Sequence, residues 1–319
     1  METSTHAPAS GAPAPSPEAP IPVIYVIGSG RSGSTLLGQL LGGHPEVFYA
    51  GEVYNYRNSH LHARAGRDRW CSCGKSVEDC DFWTTIRQRL AEDWDDPLLD
   101  LKDRDPATFE AHNAALFRAL LVESGRSVIV DASKRHYRLD LMLKSDAFEV
   151  TIVHLVRDAR AYGQSILKTR VKANRPPRAY YTKMWNWQRK NLAMKAIYGR
   201  QPTYDLVRYE ELAADPAGVV ARILGHVGLT PAPDQLDRAQ HEYHDFSGNL
   251  RARLKNVRPV ALQTGYLDKL NARRWALGTA MVAPGLRAFG YPLGREATRE
   301  HLDALRACGA NGAPARGHE

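Results

Sequence analysis

An α/β fold, with a central parallel sheet and helices on both faces, is predicted by three observations on the 319-residue sequence. Apolar, β-rich runs alternate with segments of helical period. The first such run ends in a Gly/Ser-rich turn that opens directly into a helix. Successive strands are separated by helices, the spacing that parallel pairing requires.

Taken in order, Val23 to Ile27 (VIYVI) reads as a buried strand and Ser34 to Leu41 (STLLGQLL) as the helix after its turn. Thr108 to Glu123 carries apolar positions at helical spacing. Ser127 to Val130 is a second core strand ending at Asp131, and Val150 to Val156 a third. Helical stretches follow from Ala159 to Val171 and from Arg178 to Tyr198; Thr203 to Val207 is a fourth strand, and Pro216 to Val227 a further helix. Ligands of such sheets bind outside the carboxyl ends of the strands. That rule gathers Gly28 to Thr35, Asp131 to Lys134, Arg157 with Asp158, and Arg208 to Glu210 on one expected rim.

The flanks differ in composition. Residues 1–20 hold five Ala and five Pro with no hydrophobic period and are expected to be a disordered tail. Residues 21–298 are expected to form one domain, in which the weakly periodic stretch 53–106 is an insertion over the rim and a lid for an acceptor pocket. Residues 299–319 are expected to be a C-terminal tail. With 43% hydrophobic residues the chain has material for a substantial core. No run approaches the ~18 consecutive apolar residues of a membrane span, and no basic-then-apolar leader opens the sequence. Four cysteines make no disulfide framework. The expectation is a soluble, cytoplasmic protein.

The net charge of +8 raises the prospect of a nucleic-acid partner, but its distribution argues otherwise. Between Arg157 and Arg200 stand twelve basic residues and one acid, Asp158, so this segment alone exceeds the excess of the whole chain. The remainder is mildly acidic. The segment is either a solvated helix face or a local anion site.

Gly28-Ser29-Gly30-Arg31-Ser32-Gly33-Ser34-Thr35 fits the phosphate-loop pattern G-x-x-x-x-G-K-[ST], except that Ser34 stands where the lysine belongs. The glycines let successive backbone N–H groups converge, and the following helix adds its positive dipole end. An anion site is expected, within a P-loop-like three-layer fold. Lacking the lysine that reaches a γ-phosphate, the loop suits triphosphate chemistry less well, although Arg31 can supply charge from another position.

These residues carry a resemblance. Arg31-Ser32-Gly33-Ser34-Thr35-Leu36-Leu37, then His44-Pro45 and Gly51-Glu52, resemble the 5′-phosphosulfate loop of sulfotransferases that use 3′-phosphoadenosine-5′-phosphosulfate (PAPS), nearest to the Golgi carbohydrate and tyrosylprotein branches, here in a soluble form. His154-Leu155-Val156-Arg157-Asp158-Ala159-Arg160-Ala161, with Ser165, resembles the segment that holds the 3′-phosphate through that arginine and serine. Weaker matches are Val207-Arg208-Tyr209-Glu210-Glu211-Leu212, and Ser247-Gly248-Asn249 followed by Trp275. The resemblance spans roughly residues 22 to 295. It implies PAPS as co-substrate, no metal requirement and a small-molecule or glycan acceptor, its hydroxyl borne by a carbohydrate, lipid, peptide or secondary metabolite. Golgi members of the family carry a membrane anchor, whereas the hydropathy and charge distribution here lead to an expectation of no membrane span and no nucleic acid. Oligomeric state and acceptor identity stay open.

For the cofactor the expected residues are Gly30, Arg31, Ser32, Gly33, Ser34, Thr35, Arg157, Ser165, Tyr209 and Ser247. For catalysis they are Glu52, Lys134 and Arg31. In-line sulfuryl transfer needs a base for the acceptor hydroxyl and positive charge or N–H donors for the leaving phosphate. Lys134, in Asp131-Ala132-Ser133-Lys134, is placed like a lysine that stabilises the transition state in the tyrosylprotein branch. Glu52 is the expected base, provided that partial burial raises its pKa. That branch has two consecutive glutamates after the glycine and uses the second, whereas Val53 stands here; His44 and His136 are the reserves. Tyr209 and Trp275 either flank the adenine or belong to the core, and Lys168 and Arg170 are candidates for the same mouth.

Two further features have open alternatives. Cys71, Cys73 and Cys80 with His60 or His62 make a weak zinc pattern, buried thiols or one disulfide being the simpler readings. Tyr180, Tyr181, Trp185 and Trp187, interleaved with Arg178, Lys183, Arg189 and Lys190, either stack an acceptor or bases, or pack a helix. The competing functions are a nucleotide-dependent kinase with a degenerate loop, in which Asp131 would hold magnesium, and a non-enzymatic polyanion-binding module.

Overall fold

The computed structural model describes residues 19–61, 70–172, 179–246 and 260–311. The expected N-terminal tail up to residue 18, His62, Arg175, Arg178, Ser247-Gly248-Asn249 and residues 312–319 lie outside them.

Five strands form a sheet in the order β2-β3-β1-β4-β5: β1 is Ile21–Gly28, β2 Val47–Tyr49, β3 Val128–Asp131, β4 Phe148–Val156 and β5 Tyr204–Arg208. The pairs β1 with β3, β2 with β3, and β4 with β5 run parallel. Between them come α1 (Ser34–Gly42), α2 (Tyr56–Leu61), α3 (Asp81–Asp93), α4 (Pro106–Ser124), α5 (His136–Met142), α6 (Ala159–Lys172), α7 (Ala179–Tyr198), α8 (Tyr209–Ala214) and α9 (Pro216–Gly225). After them come α10 (Tyr266–Lys269), α11 (Ala272–Ala288) and α12 (Arg295–Asn311). The α/β class and parallel sheet are therefore as the alternating pattern predicts.

Local chemistry sets several boundaries. Asp105 accepts the Thr108 amide at 2.9 Å and Pro106 occupies the first turn, so α4 starts there; it ends at Gly125 with φ 64°. Asp215 caps α9 through the Gly218 amide at 2.8 Å, again ahead of a proline. Three elements depart from the sequence expectation. Strand β2 is too short to stand out as a period. Residues 53–106 contain a 3₁₀ turn (Val53–Asn55), α2 and α3. Helix α12 runs to Asn311, past the boundary expected at 298, and Thr298 and Leu302 are buried on it.

The described residues divide into two compact units, one of 19–25, 38–61, 70–150 and 232–246, the other of 26–37, 151–172, 179–231 and 260–311. In the first, Val23 and Phe48 both align with Ile129. Beneath them the fully buried Arg138 donates to Asp131 at 2.8 Å, to Asn113 at 2.7 Å and to the Leu101 carbonyl at 2.8 Å. In the second, Tyr162, Tyr180, Met184, Trp187, Leu286 and Phe289 form the centre of one apolar cluster. Among the described residues no helix is long and apolar enough to cross a membrane.

A buried carboxylate stripped of its cation is costly. Arg138→Met should therefore lose about 3–5 kcal/mol of unfolding free energy in urea titrations. Asp131→Asn with Arg138→Met should lose less; equal losses would show that the ion pair is not the source.

Candidate active site

The turn after β1 is shaped by close approaches. Gly28 has φ +137°, and a Cβ there would stand 2.3 Å from the Leu155 carbonyl oxygen; Gly33 has φ +103°, and its Cβ would stand 2.5 Å from the Tyr209 ring. Between them Arg31 adopts φ 68°, a left-handed conformation that costs a non-glycine residue roughly 1–2 kcal/mol. The Asn191 amide donates to Ser29 Oγ at 3.2 Å and fixes the entry to the turn. Helix α1 begins at Ser34, so its first amides lack intrahelical partners and mark an anion-binding end. Within this loop the Ser32 hydroxyl is buried with no hydrogen-bond partner. Such a group costs about 1–3 kcal/mol unless a ligand satisfies it.

The end of β4 adds a second set of donors in the same unit. The Arg157 guanidinium lies 4.3 Å from the centre of the Tyr209 ring and donates from Nη1 to the Arg31 carbonyl at 3.4 Å; its Nε is buried and unpartnered. Arg31 in turn reaches Ser165, two turns into α6, at 3.4 Å. Five expected cofactor residues, Arg31, Gly33, Arg157, Ser165 and Tyr209, are thus brought into one contact chain, and Ser32 and Arg157 carry the donor atoms it leaves over. Gly30, Ser34 and Thr35 belong to the same turn. Lys168 is exposed.

Asp158 is not the partner of Arg157. Its carboxylate takes the side chain of Arg160 at 3.0 Å and 2.6 Å, with the Arg160 amide at 2.8 Å and the Tyr266 hydroxyl at 3.2 Å. Arg160 is sealed beneath Trp275 at 4.3 Å and donates its remaining N–H groups to the carbonyls of Pro292 and Leu293. Behind this pair lies Glu210, which accepts the Asp158 amide at 3.2 Å and the Tyr291 hydroxyl at 2.8 Å. Burial, with the Asp158 charge second, pushes the Glu210 carboxyl up to about 7. Tyr266, Tyr291 and the burial of Glu210 had no local signal; their partners are more than 50 residues away in sequence.

The other expected catalytic residues stand in the first unit. Lys134 Nζ donates to Glu52 Oε1 at 2.9 Å and to the Ala132 carbonyl at 2.8 Å, with Lys134 itself at φ 57°. A non-glycine residue held left-handed where a strand ends is a position at which the fold imposes strain on a charged group. Each of the two side chains is less than one quarter exposed. Asp131, three residues earlier, has Oδ1 bound to the Ser133 amide at 2.7 Å and Oδ2 to Arg138. Both oxygens are engaged and buried, so the kinase reading loses the carboxylate it needed for magnesium. His44 is buried and accepts the Glu46 amide at Nδ1, the packing role of a histidine beside a proline. His136 opens α5.

The aromatic helix resolves toward packing at two positions: Tyr180 and Trp187 are inside the core cluster, while Trp185 is about half exposed. Trp275 is buried between Arg160 and Arg295 and stacks on Tyr266. His60 does not join the cysteines. It is enclosed by Tyr56, Trp83 and Phe246, bonds the Tyr56 carbonyl at 2.8 Å, and burial lowers its pKa to about 4. The histidine beside the cysteines is His244, 164 residues beyond Cys80 and outside any local spacing.

The sulfotransferase family profile matches residues 22–234. The sulfotransferase domain from the curacin biosynthetic pathway is 15% identical with a TM-score of 0.53, covering 87% of this chain and 100% of that one. Sulfotransferase STF9 from Mycobacterium avium is 15% identical with a TM-score of 0.47, covering 86% and 79%. The sulfotransferase domain of the Synechococcus PCC 7002 olefin synthase is 19% identical with a TM-score of 0.45, covering 94% and 98%. No curated protein matches the chain in sequence. The first of these structures supports the fold.

Glu210 makes stability pH-dependent in a defined direction. Its folded pKa of about 7 exceeds the unfolded value of 4.5, so its contribution is complete below 4.5 and is lost as pH rises through 7. Glu210→Gln should gain on the native protein by on the order of 3 kcal/mol between pH 4 and pH 8 in denaturant titrations. Parallel profiles for the two proteins would contradict the assignment.

Proposed function

Because the chain belongs to the sulfotransferase family, we propose that its sulfuryl donor is PAPS and that its acceptor is a hydroxyl of a small molecule or glycan. The observation that carries this reading is a pair of buried donors without partners, Ser32 Oγ in the loop and Arg157 Nε at the end of β4. PAPS presents two anionic groups on one nucleoside, and a site for it needs two anion cradles. The loop and first turn of α1 suit the 5′-phosphosulfate; Arg157 and Ser165 suit the 3′-phosphate through a guanidinium fork and a hydroxyl.

When bound, PAPS supplies an activated sulfuryl group whose S–O bond to the 5′-phosphate breaks as the acceptor oxygen bonds to sulfur, releasing adenosine 3′,5′-bisphosphate. In this reading Glu52 takes the acceptor proton, while Lys134, Arg31 and the loop amides stabilise charge on the departing phosphate. The Glu52–Lys134 contact at 2.9 Å keeps base and cation together before an acceptor enters. Ser34, Thr35 and the backbone at Gly30 and Gly33 complete the loop, and Tyr209 orients Arg157 by stacking beneath it. Four cysteines outside any disulfide fit the expected cytoplasmic setting.

Adenosine 3′,5′-bisphosphate should raise the melting temperature well above the shift given by ATP with magnesium, and Arg157→Ala should abolish most of that shift. A larger shift with ATP would overturn the reading in favour of a kinase, and stabilisation by nucleic acid alone, steep in salt, in favour of a polyanion-binding module. With labelled PAPS and a panel of acceptors, Glu52→Gln should lower kcat by about 10²–10⁴ while nucleotide affinity is unchanged. An unchanged kcat would remove Glu52 as the base.

A further inference from the structure

We propose that Cys71, Cys73, Cys80 and His244 form a structural zinc site. Their four ligand atoms all lie within 4.8 Å of one another. Cys80 Sγ stands 3.6 Å from Cys73 Sγ and 3.7 Å from Cys71 Sγ, and His244 Nδ1 stands 3.5 Å from Cys80 Sγ and 3.6 Å from Cys71 Sγ. A tetrahedral zinc with bonds of about 2.3 Å to sulfur and 2.0–2.1 Å to nitrogen has S···S edges of about 3.8 Å and S···N edges of about 3.6 Å. All four measured edges lie within about 0.2 Å of these values. A disulfide fits less well, since Cys80 is equally near two thiols and either pairing strands the third.

The surroundings hold the ligands in place. The backbone amides of Cys73, Lys75 and Trp83 bond the sulfurs of Cys71, Cys73 and Cys80, the donors that thiolate ligands need. Phe82 stacks on the His244 ring at 4.6 Å and 7°, and Trp83 Nε1 donates to the His244 carbonyl at 2.8 Å, which fixes the ring with Nδ1 toward the sulfurs. Nε2 faces Glu242 Oε1 at 3.7 Å. Ser72 ties the two segments again, its amide to the Asp245 carbonyl at 2.9 Å and its hydroxyl to the Tyr243 carbonyl at 2.7 Å.

Four ligands close the coordination sphere, so the metal is structural and takes no part in sulfuryl transfer. Its place in the fold gives it a consequence. It joins residues 71–80 to 243–246, and the backbone of Phe246 closes on Gly51, next to Glu52, so tightly that a Cβ there would stand 2.9 Å from the Phe246 carbonyl oxygen.

Elemental analysis of protein purified without added metal should find about one zinc per chain, and Cys80→Ser should bring this below one tenth. Should that variant fail to fold, two measurements on the native protein decide. Chelation should lower the melting temperature and zinc, but not magnesium, should restore it; cobalt substitution should produce the visible bands of a tetrahedral site with thiolate charge transfer. No stoichiometric metal, another transition metal at one equivalent, or an intact mass lower by two hydrogens through a disulfide would each overturn the zinc site. These readouts are independent of the sulfuryl donor, so failure here leaves the PAPS reading standing, and the reverse.

Discussion

The buried pairing of Asp158 with Arg160 is the constraint on which the unit carrying the Gly28–Thr35 loop depends. A carboxylate beside the end of β4 would ordinarily capture the nearest arginine, Arg157, and hold it as a structural ion pair. Instead Arg160, two residues on, supplies three N–H donors to Asp158 and is itself buried under Trp275. Because both ions are withdrawn from water, the pair persists only with its remaining lone pairs and protons satisfied. Tyr266 and the carbonyls of Pro292 and Leu293 do this. Arg157 is thereby left to the loop, stacked on Tyr209 with one donor unsatisfied.

The same arrangement explains why Glu210 stays buried. It receives the Asp158 amide and the Tyr291 hydroxyl, and protonation relieves its proximity to the Asp158 carboxylate. Helix α8 therefore starts at a fixed height, with Tyr209 held where it closes on Gly33 and supports Arg157. In the other unit Asp131 and Arg138 play a comparable part. Their pairing consumes the carboxylate at the end of β3 and leaves Lys134, held left-handed, to meet Glu52.

What could be read from the sequence was whatever is local in it. The turn from Gly28 to Thr35, the strand-to-helix step at Arg157 and the strand end at Lys134 are short runs in which residue type and spacing carry the chemistry. The alternation of β-rich and helical runs carries the fold class for the same reason. Strand β2, three residues long, has no period to display. His244 approaches the cysteines from 164 residues away, so the sequence offered His60 and His62 as the nearer histidines, and packing against Trp83 and Phe246 takes His60 elsewhere.

The charge concentrated between Arg157 and Arg200 also divides by environment. Arg160 is neutralised inside the protein, and Lys195 covers Phe289 and donates to the Ala288 carbonyl; Arg157 is the member turned to the anion loop. A structure of the protein with adenosine 3′,5′-bisphosphate bears on that division most directly. The account predicts Ser32 Oγ and Arg157 Nε each within hydrogen-bond distance of a phosphate oxygen, one on the 5′ and one on the 3′ group. A nucleotide bound with both atoms still unpartnered would contradict it.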